Sequence, residues 1–255
     1  MRKLAIPFYI LLWAVAMLLA ASVPAHAIDI FISDQGGSHV GSCEDNNIQG
    51  SSAFNIFNFN YGAAPTNTVG ETTFTAPSRT RIIQRYDIAP IPDSATIQSA
   101  EIVMEATIIN GSGDTVRLRQ IATANNDWVE GTANGATQAG SSCWNDYAYQ
   151  NITEWAGSPG LQTGTTDFIT TVISNDPAIS TTGTKTFTFN GAGVAALQGQ
   201  LVDNDFEVLF LNTTTTSNNY ITFASSENAT ANLRPYLKVT YIVEAEGAAI
   251  IIIRR

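Results

Sequence analysis

Histidine, cysteine and basic side chains are scarce in this chain, and each scarcity removes a class of chemistry. Only two histidines occur, His26 and His39, so a histidine-rich metal centre is excluded. His39 lies in the glycine-rich stretch Gly36–Gly41. No Gly-x-Ser-x-Gly elbow accompanies it, so a serine hydrolase of that type lacks its nucleophile turn. The two cysteines, Cys43 and Cys143, lack the C-x-x-C spacing of a redox pair. Twelve basic residues stand against 22 acidic ones, the wrong balance for a nucleic-acid binder, which displaces counterions with Lys and Arg. No motif singles out a carboxylate pair for glycoside hydrolysis, and the chain reads as non-catalytic. Nearly absent, too, is helical periodicity beyond the N-terminal segment.

That segment is the one long apolar run. Arg2 and Lys3 precede Phe8–Ala21, and Pro24 and Ala25-His26-Ala27 follow, the layout of a secretory signal with a small-x-small cleavage site. Cleavage after Ala27 leaves 228 residues and a formal charge of −12, because all 22 acidic residues but only ten basic ones remain. A secreted chain of that length suits one all-β domain. Export also makes a Cys43–Cys143 disulfide the expectation, closing a loop of about 100 residues. The rest of the surface is rich in Thr, Asn, Ser and Gly, hydrogen-bonding more than ionic.

Two-residue alternation runs through the remainder. In Ala100–Ile108 the even positions are apolar while Glu101 and Glu105 mark a solvated face. Asn110-Gly111-Ser112-Gly113 supplies turn residues, and Val116 and Leu118 alternate with Arg117 and Arg119, which predicts a hairpin. Further strands are expected at Ile28–Ser33, Asn55–Asn60, Glu71–Thr75, Arg81–Ile88, Asp167–Ile173, Lys185–Phe189, Phe206–Asn212, Tyr220–Ala224 and Tyr236–Val243, with a short helix at Gly193–Leu201. Short strands between Gly, Pro and Asn clusters imply a sandwich or barrel. Asn125–Gly164 has few strand signals but holds Trp128, Trp144 and Trp155, and reads as a functional loop or a cap on the core.

Three segments together resemble the DNRLRE domain family, which includes carbohydrate-binding modules. They are Arg81–Ile102, with its Arg-Tyr-Asp and Ile-x-Ser-Ala strings; Trp128-Val129-Glu130-Gly131-Thr132 with Cys143-Trp144-Asn145 and Trp155–Gly160; and Phe223-Ala224-Ser225-Ser226-Glu227 with Arg234–Tyr241. No literal Asp-Asn-Arg-Leu-Arg-Glu string is present. The resemblance implies a jelly-roll-like antiparallel β-sandwich over residues 28–243, and a non-catalytic role in glycan attachment or cell-surface structure.

Candidate ligand contacts follow from residue type. Trp144, Tyr147, Tyr149 and Trp155 lie in one Asn- and Ser-rich stretch, where flat rings can cover sugar C–H faces; equally, the tryptophans can plug one end of the core. Arg81, Arg85, Arg117 and Arg119 can form a patch for sugar carboxylates, or Glu105 can pair across the hairpin with Arg117 or Arg119. A structural calcium ion is compatible with Asp34, Asp45, Asp127 and Asp146, although no EF-hand-like spacing occurs. The tail from Glu244 to Arg255 ends in Ile250-Ile251-Ile252-Ile253 and two arginines. This β-forming run is too short to cross a membrane and suits either the chain's own sheet or a neighbouring subunit's. The expected partner is therefore a polysaccharide; the competing expectation is self-association into an extracellular filament or matrix through that tail.

Overall fold

The computed structural model describes residues 26–50, 56–72, 79–150, 153–213, 216 and 218–244. The expected signal peptide up to Ala25 and the isoleucine run Ile250–Ile253 lie outside the described residues. Among those described, no helix is long and apolar enough to cross a membrane.

The described residues form fifteen strands in chain order: β1 (Ala27–Ile32), β2 (Cys43–Gly50), β3 (Phe59–Asn60), β4 (Thr66–Glu71), β5 (Arg79–Asp87), β6 (Thr96–Asn110), β7 (Asp114–Gln120), β8 (Ala136–Thr137), β9 (Asp146–Ala148), β10 (Thr153–Glu154), β11 (Ala178–Ile179), β12 (Gly183–Thr188), β13 (Asp205–Asn212), β14 (Asn219–Ala224) and β15 (Tyr236–Ile242). Eleven join one antiparallel sheet ordered β1-β15-β6-β14-β4-β5-β13-β7-β11, with β12 on β6 and β2 on β5. The all-β sandwich class is as expected. The short helix α1 (Gly191–Gly199) starts two residues earlier than its sequence pattern, because the Asn190 side chain accepts the Ala192 and Gly193 N–H groups and caps it.

The sheet folds over between β4 and β5, and its halves close on an apolar interior. Ile102, Met104 and Ala106 from β6, Phe187 from β12 and Phe223 from β14 meet Ile82, Val116, Val208 and Phe210 from the other half. Phe187 and Phe210 touch edge to face at 5.4 Å between centroids, a direct contact across the sandwich.

The predicted hairpin is overturned. β6 pairs with β12, β14 and β15, whereas β7 pairs with β13 and β11. Asn110–Gly113 therefore carries the chain from one half to the other. Both strands alternate because both line the same interior from opposite sides. Glu105 accordingly never meets Arg117 or Arg119: it accepts the Thr184 hydroxyl, and Arg117 pairs with Asp176 at 2.7 Å. A bulge at Thr107 also inverts the alternation, leaving Ile108 half exposed while Ile109 packs on the core.

Two further readings are corrected. β2 was not expected, because between buried Cys43 and Ile48 its buried residues are the polar Asp45, Asn46 and Asn47, which leave no apolar alternation. Asp167–Ile173 contributes only isolated bridges through Phe168.

The segment between β7 and β11 adds a third layer. Trp128, Trp155 and Leu161 pack on Ile48, Ile83 and Leu209, on the far side of β2, β5 and β13. This explains why β5 and β13 read apolar on both faces: Ile82 and Ile83, or Val208 and Leu209, serve different interiors. Asp167, fully buried, clamps the insert by accepting from the N–H groups of Gly157 and Thr163, both at 2.7 Å, and from the Ser158 hydroxyl.

Candidate functional site

The insert occupies the face on which sequence alternation gathers the arginines. Arg81, Ile83 and Arg85 share the outer face of β5, so Arg81 and Arg85 lie beneath it. Arg81 donates to the Gly160 and Leu161 carbonyls, and its guanidinium lies 5.7 Å from the Trp144 ring centre. Burial lowers its pKa to about 10. Trp144 is enclosed as well, because a Cβ on Gly50 or Gly160 would run into its indole. Trp155 is buried with its N–H on the Cys143 carbonyl at 3.0 Å. Half-buried Tyr147 leans on Trp155. The aromatic platform expected from Trp144 and Trp155 is therefore core, and Tyr149, half-buried, is the expected ring least engaged in it. Arg117 is exposed, and Arg119 is half-buried with no hydrogen-bond partner for Nε.

The expected disulfide is likewise corrected: both thiols are buried and unbonded. β2 directs Cys43 into the sandwich interior, while Asn46, on the opposite face, holds Ser142 beside Cys143. The two sulfurs thus lie on opposite sides of one strand layer. Burial first, then Asp45, raises the Cys43 pKa well above its usual value, and burial raises that of Cys143 to about 11.

Two acidic places remain, joined by the strip Trp128-Val129-Glu130. The first is a cleft of about 460 Å³ where that strip meets the end of α1 and the start of β13. Its lining includes Asn126, Asp127, Gln200, Asp203, Asp205 and Glu207, with Arg85 and Trp128. Arg85 organises it. Nε donates to Glu207 at 2.7 Å, Nη1 reaches Glu44 at 2.9 Å, and Nη2 donates to the Asn126 and Trp128 carbonyls. The guanidinium also stacks 4.7 Å from the Trp128 ring centre. Burial works against the Arg85 charge, yet Glu207 and Glu44 raise its pKa above the usual value. Burial likewise raises Glu207 to about 7 despite Arg85.

Among the described residues no Lys or Arg pairs directly with the second place, and Arg234 favours the Glu227 charge only from a distance. Carboxylate oxygens of Asp45, Glu130 and Glu227 lie within 4.8 Å of one another. Asp45 comes from β2, Glu130 from the insert and Glu227 from the turn after β14. Burial raises Asp45 to about 7 and Glu130 to about 9, and it raises Glu227 as well. Of the four aspartates expected for calcium, only Asp45 is in this cluster. Asp127 lines the cleft, Asp146 contacts Cys143, and Asp34 accepts the Cys43 N–H at 2.9 Å. Glu130 and Glu227 were legible only as parts of Trp-Val-Glu-Gly and Phe-Ala-Ser-Ser-Glu, two of the family-like strings, which the fold brings together.

No family model matches this chain, and no curated protein resembles it significantly.

Proposed function

We propose that the protein is a secreted, non-catalytic module that binds a neutral, hydroxyl-rich polysaccharide in the cleft beside Trp128. The observation that carries this reading is the cleft lining: carboxylates that accept from sugar hydroxyls alternate with the amides of Asn126 and Gln200, which both donate and accept. Four carboxylates face one arginine already committed to Glu207 and Glu44, a field that repels uronic acids and tolerates neutral sugars. The jelly-roll-like family resemblance points the same way. Asp203 and Asp205 are exposed, so both can be replaced by alanine without opening the core. Affinity electrophoresis of the mature protein through neutral polysaccharides should show retardation that the double variant loses. Equal retardation of the two proteins removes the cleft from the account, and retardation only in acidic polysaccharides reverses the assigned sugar class.

A filament or matrix subunit is the second reading. It draws on β1, which pairs with β15 along one edge. Val40 meets only its far end, and no described strand lies along the outer edge of Ala27–Ile30. An open edge of this kind accepts a strand from a neighbour, and the Ile250–Ile253 tail has the composition to supply one. Light scattering of the mature protein with and without residues 247–255 tests it: oligomers lost on deletion support the reading, and monomers in both cases remove it.

A further inference from the structure

Opposed carboxylates are stabilised by protonation, by a basic partner or by a cation lying between them. No Lys or Arg is among the main influences on Asp45 and Glu130, and Arg234, which favours the Glu227 charge, spends its hydrogen bonds on the Asn228 and Asp34 carbonyls. Their neighbours fix the oxygens in place. The Ser226 N–H holds Asp45 Oδ2 at 2.8 Å, the Asp45 N–H holds Glu130 Oε1 at 2.6 Å, and the Ser226 hydroxyl bridges towards Glu130 and Glu227.

A second, independent feature points to the same place. Asn67 is fully buried, its carboxamide reaches Asp45 Oδ1 at 2.7 Å through Nδ2, and its Oδ1 has no hydrogen-bond partner. A buried amide oxygen without a partner is left with its full desolvation cost. Turning the amide over, an exchange that leaves the heavy-atom shape unchanged, brings this oxygen to the carboxylates. There a cation lying between the two satisfies both it and an ionised Asp45.

We propose that Asp45, Glu130, Glu227 and Asn67 hold one hard divalent cation, calcium by size, which ties β2 and β4 to the insert and to the turn after β14. The donors are all oxygen, with no His or Cys among them, which selects against zinc and copper. Calcium binds oxygens at about 2.3–2.6 Å, so ligands of one ion lie at most about 5 Å apart. The 4.8 Å span meets that limit without movement. Magnesium, at about 2.0–2.1 Å, requires the cage to contract. Glu227 is exposed and provides the route of entry and room for water ligands.

The test is calorimetric titration of chelator-treated mature protein with calcium chloride, alongside thermal melts. One calcium per chain is expected, with magnesium weaker by at least tenfold. Calcium about 100-fold above its Kd should raise the melting temperature by roughly 5–10 °C. Glu227→Gln, at an exposed position, should not lower the chelated protein's melt and should weaken calcium at least tenfold; Asp45→Asn should abolish binding. Should Asp45→Asn fail to fold, Glu227→Gln alone decides. No heat and no melting shift at millimolar calcium in folded wild-type protein overturns the proposal, as does calcium binding that Glu227→Gln leaves unchanged.

Discussion

Glu207 and Glu130 lie at opposite ends of the same three-residue strip, and the fold treats them in opposite ways. Beside Trp128, Glu207 meets a guanidinium held on five sides, by two carboxylates, two carbonyls and an indole. Two residues along, Glu130 meets further carboxylates. The first acidic place is complete in its own side chains and leaves its remaining oxygens to a neutral ligand. The second is complete only with a proton or a cation. Equal formal charge in two neighbouring sites thus leads to different chemistry, decided by whether an arginine bonds the carboxylates directly.

The strongest way to break this comparison is to remove the arginine. Arg85→Met should destabilise the mature protein by about 3–5 kcal/mol in urea unfolding, since it strands buried Glu207 without a partner. A loss below about 1 kcal/mol would mean that the Glu207 end needs no counter-charge. Trp155→Ala should cost a similar or slightly smaller amount, about 3–4 kcal/mol, through the cavity it leaves. Tyr149→Ala should stay within about 1 kcal/mol. A reversed order would return the tryptophans to the ligand-facing role.

A pH series sharpens the contrast. Asp45 and Glu130 have folded pKa values of about 7 and about 9, above the ordinary carboxylate range, so the folded protein binds more protons than the unfolded chain between those limits. Stability of the chelated protein should therefore be greatest near pH 4–5, decline as pH rises towards 9, and level off beyond. Glu207 adds the same sign up to about 7. Saturating calcium should flatten the decline. A chelated protein that gains stability from pH 5 to 8 would contradict the carboxyl assignment. The smallest effect concerns the thiols: reductant should not move the melting temperature, and the unfolded, unreduced protein should take up alkylating reagent at both Cys43 and Cys143. Protection of either one would restore the disulfide.

Alternation revealed that strands have one buried face, which is why β6, β7, β12 and β15 were legible. It carries no information about partners, and so a crossing between sheet halves read as a hairpin. β2 escaped notice because three of its buried residues are Asp45, Asn46 and Asn47, satisfied by Asn67, Ser142 and Thr68; buried polar pairing leaves no periodic trace. Arg81 and Arg85 read as candidate ligand contacts because nothing local indicates that the distant insert will cover them and take their hydrogen bonds. The carboxylate cluster draws on three distant segments, so only the recurrence of Glu130 and Glu227 in family-like strings hinted at a shared role.

The most direct measurement is backbone chemical-shift mapping of isotope-labelled mature protein during titration with a neutral oligosaccharide, at saturating calcium. The account predicts shifts concentrated at Asn126, Asp127, Val129, Gln200, Asp203 and Asp205, with Tyr147 and Tyr149 unmoved. Shifts centred on Tyr147, Tyr149 or Arg117 would contradict it, as would a spectrum that no neutral oligosaccharide changes.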